Sequence, residues 1–312
     1  MLDFLLIGIF LILGAIARYL LSKKYPLNPY LSFDAFSNNL NHYVISICLP
    51  AIVFLKIPST PVEQSLLIPA LIPWFLIAVA IVFVLATSRL FKFSKATEAC
   101  LLMIACFGNT SFFGFPIVRA FYGESALSYA VVYDLFGSFL SLAIVGNIII
   151  AVYSQEGKFS WLAMIKRVLT FPPFLALCLA LLLKGMEYPM WLIEIFQLIS
   201  LTLVPTAMLL VGMHMSFRIN RILFKPLLFG VSLKLWLLPM TAWIFLTFIL
   251  GNEINTNPIF KVTIFEAAMP PMVTACLMAI QANLNPKLAA TAVGIGLVFS
   301  LVSLPTWYWL LS

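Results

Sequence analysis

The stretch Ala105–Val118, ACFGNTSFFGFPIV, decides the fold. It lies inside an apolar run, 97–121, that is long enough to cross a bilayer, yet it sets Gly108, Asn109, Thr110, Ser111, Gly114 and Pro116 at its middle. Pro116 has no N–H and its ring clashes one turn back, so carbonyls and amides near Asn109–Phe113 lose their intrahelical partners. In lipid each such group costs several kcal/mol unless protein, water or a ligand satisfies it. Two readings fit this segment by itself. One is a helix interrupted at the membrane midplane, a common architecture for a transport site; the other is a Pro-kinked helix packed through its small residues.

The rest of the chain supplies the membrane. Hydrophobic residues fill 63% of the 312 positions and charged residues 9%, where a soluble domain carries about 45–50% and about 25%. The expected fold class is therefore an all-α polytopic membrane protein embedded in the lipid bilayer. The net charge of +7 comes from basic residues scattered through short connections, with no stripe or patch suited to nucleic acid. Cys48, Cys100, Cys106, Cys178 and Cys276 are odd in number and all fall in apolar runs, which predicts free thiols and no disulfide framework. The N-terminus is apolar from Leu2, carries Asp3 in place of a basic leader region, and reads as a first spanning helix.

Ten runs approach the roughly 20 apolar residues that a spanning helix needs: 2–22, 38–57, 65–89, 97–121, 125–153, 160–184, 189–215, 222–250, 258–282 and 286–311. The connections after odd-numbered runs hold thirteen Lys and Arg: Arg18, Lys23, Lys24, Arg89, Lys92, Lys95, Lys158, Lys166, Arg167, Arg218, Arg221, Lys225 and Lys287. The alternate connections hold four, Lys56, Arg119, Lys184 and Lys261. The positive-inside rule then places the odd connections in the cytoplasm and both termini outside, in a cytoplasmic (inner or plasma) membrane. A repeat is visible too. Pro50 and Pro205 stand 155 residues apart, as do Pro116 and Pro271, in runs five apart. Five helices per half is an odd number, so the second half must enter the membrane upside down. The expectation is two inverted five-helix repeats, 1–153 and 160–312, joined through a short cytoplasmic or interfacial connection at 154–170, with helices 4 and 9 broken where they cross.

GNTSFFGFP (Gly108–Pro116), GESALSYAVVYD (Gly123–Asp134), LKLWLLP (Leu233–Pro239) and EAAMPPMVTA (Glu266–Ala275), with NLNHYVISICLPAIVF (Asn39–Phe54), resemble the auxin efflux carrier family along essentially the whole chain. That family includes plant auxin exporters and bacterial carriers of malonate, malate and related carboxylates. The resemblance implies the ten-helix fold shared with bile-acid/sodium symporters, with a scaffold domain from helices 1, 2, 6 and 7 that is able to form a homodimer. It also implies a transport domain from helices 3–5 and 8–10 that moves as an elevator, with the crossover prolines beside the substrate. The long hydrophilic central loop of many plant members is missing, and the chain looks more like a prokaryotic carrier.

Several polar residues stand at membrane depth. Asn109, Thr110 and Ser111, with Pro116, Pro270 and Pro271, are the candidate substrate-binding residues, because half-helix N-termini suit an anionic carboxylate; by resemblance Asn109 is the best supported of them. Glu266, four residues before Pro270, is the first candidate for ion coupling, since an acid inside the membrane is a functional candidate by default. In the related symporters an acid at the matching place helps bind sodium, so three readings of Glu266 stand: it holds Na⁺ with Asn109, Thr110 and Ser111, it carries a proton alone, or it is one half of a static ion pair; the bulky Pro270–Pro271 pair favours the proton over Na⁺. Asp134 and Lys234 complete the candidate set. They either neutralise one another, or Lys234 pairs with Glu266 or the substrate, or Lys234 snorkels to the cytoplasmic interface. His42 reads as an interfacial cap, Glu194 as a solvated residue, and His214, without a second ligand at metal spacing, marks no metal site.

No phosphate loop, nucleophile elbow or Cys/His metal set occurs, so neither an enzyme nor a cofactor is expected beyond a coupling ion, H⁺ or Na⁺. The two functions that remain are a secondary carrier of a small organic anion, such as a carboxylate, dicarboxylate or auxin-like weak acid, and a membrane sensor that keeps the carrier fold without turnover.

Overall fold

The computed structural model describes residues 2–24, 33–58, 60, 63–154, 160–186, 188–215, 221–251 and 257–312. Lys158 and Arg218, and the first part of the connection at 155–159, lie outside the described residues. Thirteen helices account for nearly all of the rest: α1 Leu2–Lys24, α2 Phe33–Lys56, α3 Gln64–Leu90, α4 Lys95–Cys106, α5 Phe115–Tyr122, α6 Glu124–Tyr153 and α7 Trp161–Leu169, followed by α8 Pro172–Leu182, α9 Met190–His214, α10 Phe224–Leu250, α11 Pro258–Ala267, α12 Val273–Gln281 and α13 Pro286–Leu311. Among the described residues, α2, α3, α6, α9, α10 and α13 are each long and apolar enough to cross a membrane, and Leu5–Leu21 and α8 are shorter apolar helices. The run at 160–184 is two helices, α7 and α8, because Pro172 and Pro173 admit a helix start but no continuation.

The chain forms two compact units. The first comprises Met1–Val62, Ser111–Val131 and Lys166–His214, and so holds α1, α2, α5, the start of α6, α8 and α9. Its closest approach is between α1 and α9, where a Cβ on Gly14 would overlap the Leu209 carbonyl oxygen and one on Gly212 would overlap the Leu11 carbonyl. Small residues let the two backbones touch, which is how helices associate when lipid leaves no hydrophobic drive between them. On the opposite side of α1, Leu5, Ile9 and Ile12 are exposed, as an outward-facing surface requires.

The second unit comprises Glu63–Thr110, Val132–Ile165 and Met215–Ser312. Its core is α4, buried without interruption from Thr97 to Cys106. Ser94 caps the start of α4 by accepting from the Thr97 N–H, and Asn285, at the N-cap of α13, donates its side-chain amide to the Thr97 hydroxyl at 3.0 Å. Glu98 is buried beside this cap but takes two donors, Lys95 Nζ and the Tyr153 hydroxyl, each at 2.8 Å. Three helices widen into π turns: α2 at Val44–Cys48, α6 at Tyr133–Phe139 and Leu142–Gly146, and α10 at Leu233–Leu237. A π turn spoils the regular ladder and frees carbonyls for other donors. In α6 the Phe136 carbonyl accepts the Trp74 indole N–H at 3.0 Å, while Gly137 gives the Pro73 ring of α3 room that a Cβ would take away.

All five cysteines are free; four are buried and Cys178, on α8, is exposed. His42 bonds Ser46, and His214 lies between the Leu210 carbonyl and the Ser37 hydroxyl. Glu194 is exposed.

Candidate functional site

Both expected breaks are present, and in the second unit they meet. Helix α4 ends at Cys106, Phe107 turns extended at φ −120° and ψ 120°, and Thr110–Gly114 forms a π turn before α5. Helix α11 ends at Ala267, and Pro270 and Pro271 precede α12. The four helix ends at these breaks leave amides and carbonyls without intrahelical partners. Each break satisfies the other. The Asn109 N–H donates to the Pro270 carbonyl at 2.8 Å and the Met272 N–H to the Phe107 carbonyl at 3.0 Å, which makes Gly108 and Pro271 an isolated antiparallel bridge. In this register the directly opposed pair exchanges no hydrogen bonds of its own. Pro271, having no N–H, therefore loses nothing there.

The location of the breaks differs from the proline reading. Pro116 sits in the first turn of α5, where a missing N–H is an orphan anyway, while the extended residues are Phe107 and its neighbours. Pro271 lies in its break and Pro116 does not, so the shared 155-residue spacing joins two prolines with different local roles.

Around the bridge the candidate residues gather as follows. Asn109 and Thr110 are buried, at 3% and 1% exposure, and the Asn109 backbone N–H is already committed to the Pro270 carbonyl. The Thr110 hydroxyl donates to Asp134 Oδ1 at 2.5 Å. Asp134 is the second residue of the π turn of α6, and Lys234 lies in the π turn of α10. Lys234 does not snorkel: it is buried, its Nζ donates to the Ala267 carbonyl at 3.1 Å, and that nitrogen lies 3.0 Å from where a Cβ on Gly108 would be. Its ammonium thus caps the buried C-terminal end of α11, where the helix dipole is negative. Glu266, on the last turn of α11, is fully buried, and neither carboxylate oxygen has a hydrogen-bond partner among the described residues. Asp134 and Lys234 are both within its electrostatic reach. Two acids and one amine therefore share one buried region at the crossing. Pro270 and Pro271 are buried with them, and the Pro271 ring packs where a Cβ on Gly296 of α13 would overlap it.

The other two candidates belong to the first unit. Ser111 is half-buried at the start of the π turn, and Pro116 lines a narrow cleft with Ile52, Leu55 and Lys56 of α2 and Leu203 of α9. At its mouth Glu124 accepts Lys56 Nζ at 2.8 Å and Arg119 Nε at 3.0 Å. Lys56 and Arg119 were counted from sequence only as orientation charges. The spacing of Pro116 and Arg119, three residues apart on one helix face, and the GE step at Gly123–Glu124 were the available signal.

The family described as membrane transport protein matches residues 6–308. A protein of Methanocaldococcus jannaschii named as an uncharacterized transporter is 27% identical over 289 residues, covering 87% of this chain and 89% of its own length. A second uncharacterized transporter, from Methanothermobacter thermautotrophicus, is 25% identical over 276 residues, covering 87% of this chain and 88% of its own.

Proposed function

Because this chain belongs to the membrane transport protein family, that of the auxin efflux carriers, we propose that this integral multi-pass protein is a secondary carrier of a small organic anion, coupled to protons. The observation that carries the reading is the unpartnered Glu266 beside the bridged breaks. With Asp134 and Glu266 ionised and Lys234 protonated, the buried group holds one uncompensated negative charge, and a buried charge without a partner is costly. One proton neutralises the set. Lys234 already brings a tethered cation to the end of α11, where a free metal ion would otherwise be needed, so H⁺ is favoured over Na⁺.

The ten-helix arrangement in two inverted repeats belongs to the same reading, supported by paired breaks in α4–α5 and α11–α12. Elevator movement of a transport domain against a scaffold that can dimerise is supported by the two units, since α1, α2, α8 and α9 group apart from α3, α4 and α10–α13. Uptake of labelled malonate, malate and an aromatic acetate into proteoliposomes, under separate pH and Na⁺ gradients, tests it. Accumulation driven by the pH gradient is expected; ligand binding without accumulation under either gradient would assign the protein to sensing.

A further inference from the structure

The mouth of the Pro116 cleft carries a charge arrangement that the crossing does not use. Helix α5 presents Pro116 to the cleft and, one turn later on the same face, Arg119 at its mouth. Gly123 then reverses the chain: its φ of +83° lies where side chains are strained, and its N–H closes α5 on the Arg119 carbonyl at 3.0 Å. That reversal brings Glu124 back over Arg119 and within reach of Lys56. The end of α2 that carries Lys56 is fixed independently, since the Thr60 hydroxyl donates to the Lys56 carbonyl at 2.6 Å and Lys184 Nζ to the Thr60 carbonyl at 2.5 Å.

Two cations thus share one carboxylate, and the exposures are unequal: 17% for the Lys56 side chain and 28% for Arg119, against 50% for Glu124. The positive seat is recessed and its acid is the exposed, replaceable member. The walls beyond it are apolar apart from Ser200. The chain also enters this unit at Ser111 and leaves it at Val131, with the residues on either side belonging to the other unit. Its ion pair to α2 holds this inserted corner by a contact that another carboxylate can substitute.

We propose that Lys56 and Arg119 form a carboxylate seat at the mouth of the Pro116 cleft, that Glu124 occupies it as an internal ligand, and that a small organic anion opens the mouth by replacing Glu124. The ligand class rests on the carrier reading, but the latch itself does not. An incoming carboxylate exchanges one anion for another on the same two cations, so the seat never stands uncompensated while the α5–α6 corner is released. A seat of this kind would select anions before they reach Pro116.

Hydrogen exchange of the α5–α6 corner in detergent or nanodiscs, followed by mass spectrometry, tests this without any transport. Glu124→Gln should speed exchange in peptides covering 119–127 by about two- to fivefold, the size of one partly exposed ion pair. Malonate added to the wild-type protein should do the same, and malonamide, its neutral analogue, should not. Lys56→Met should abolish the response to malonate, and the exchanged pair Lys56→Glu with Glu124→Lys should restore slow exchange. Equal acceleration by chloride at matched ionic strength would mean screening alone and would overturn the seat. No response to malonate in the wild type would overturn it too, as would unchanged exchange in Glu124→Gln. Should proteoliposome uptake fail while these responses hold, the carrier reading falls and the latch stands.

Discussion

Gly108 and Pro271 oppose one another across the two broken helices as an antiparallel pair that exchanges no hydrogen bonds, and their flanking residues close the bridge through Asn109 to Pro270 and Met272 to Phe107. Each residue type has a reason to be there. Pro271 needs no N–H in this register, and Gly108 leaves room for the Lys234 ammonium on one side.

Two alanine substitutions separate the crowding around this pair. In Gly108→Ala the new Cβ meets the end of the flexible Lys234 side chain at 3.0–3.1 Å, so the lysine shifts away and its bond to Ala267 weakens. The expected result is a folded protein, destabilised by about 1 kcal/mol, with transport reduced more than tenfold. In Gly296→Ala the Cβ meets the rigid Pro271 ring, and overpacking of that kind costs about 1–3 kcal/mol. Thermal unfolding of both purified variants, read beside uptake, checks the order.

Pro116→Ala should leave the break in place, because Pro116 occupies the first turn of α5 and the extended residues are upstream of it. Its stability should stay within about 0.5 kcal/mol of wild type, as a first-turn proline contributes little beyond a fixed φ. Expression and melting temperature decide this, and a loss of folding would show that Pro116 makes the break after all.

Thr110→Val removes the hydroxyl that donates to Asp134 while keeping the shape of the side chain. A buried charge-assisted hydrogen bond lost in this way costs about 1.5–3 kcal/mol. Thr110→Ser, which retains the donor, should recover most of it. Equal melting temperatures for the valine and serine variants would mean that the bond carries little.

Glu266→Gln keeps the shape of the side chain and mimics its protonated form. Uptake of an anion works against an inside-negative potential by about 2.3 kcal/mol per charge per 100 mV, so an importer needs a compensating cation on each cycle. The variant should bind ligand and exchange it between equal pools, yet fail to concentrate it when an inward proton gradient is imposed. Accumulation with wild-type pH dependence would make Glu266 structural and turn attention to Asp134.

Orientation has its own test. A single cysteine at Ser312, in a background without the native thiols, should react with an impermeant reagent added outside intact cells, and one at Lys23 should not. The opposite pattern would reverse the sidedness derived from the Lys and Arg count.

The membrane class, the existence of two broken segments and the acids Asp134 and Glu266 were legible in the sequence, because each is local; the burial of Glu98 was not. Twenty apolar residues need a bilayer, and Gly, Pro and Asn in such a run break a helix wherever it packs. What the chain could not reveal from its order was which residues of the two breaks satisfy one another. The bridge joins residues 107–109 to 270–272, a pairing that depends on where α4 and α11 end and that sets Gly108, not Pro116, opposite Pro271. Lys234 was likewise ambiguous, since one turn of helix separates a snorkelling lysine from a buried one; only the packing of α10 beside α11 brings its ammonium to the Ala267 carbonyl. The π turns that hold Asp134 and Lys234 have no sequence period of their own. The Lys56–Glu124–Arg119 cluster needed the fold for the same reason: Lys56 and Glu124 are far apart along the chain and attract only after α2 and the α5–α6 corner have been brought together by packing.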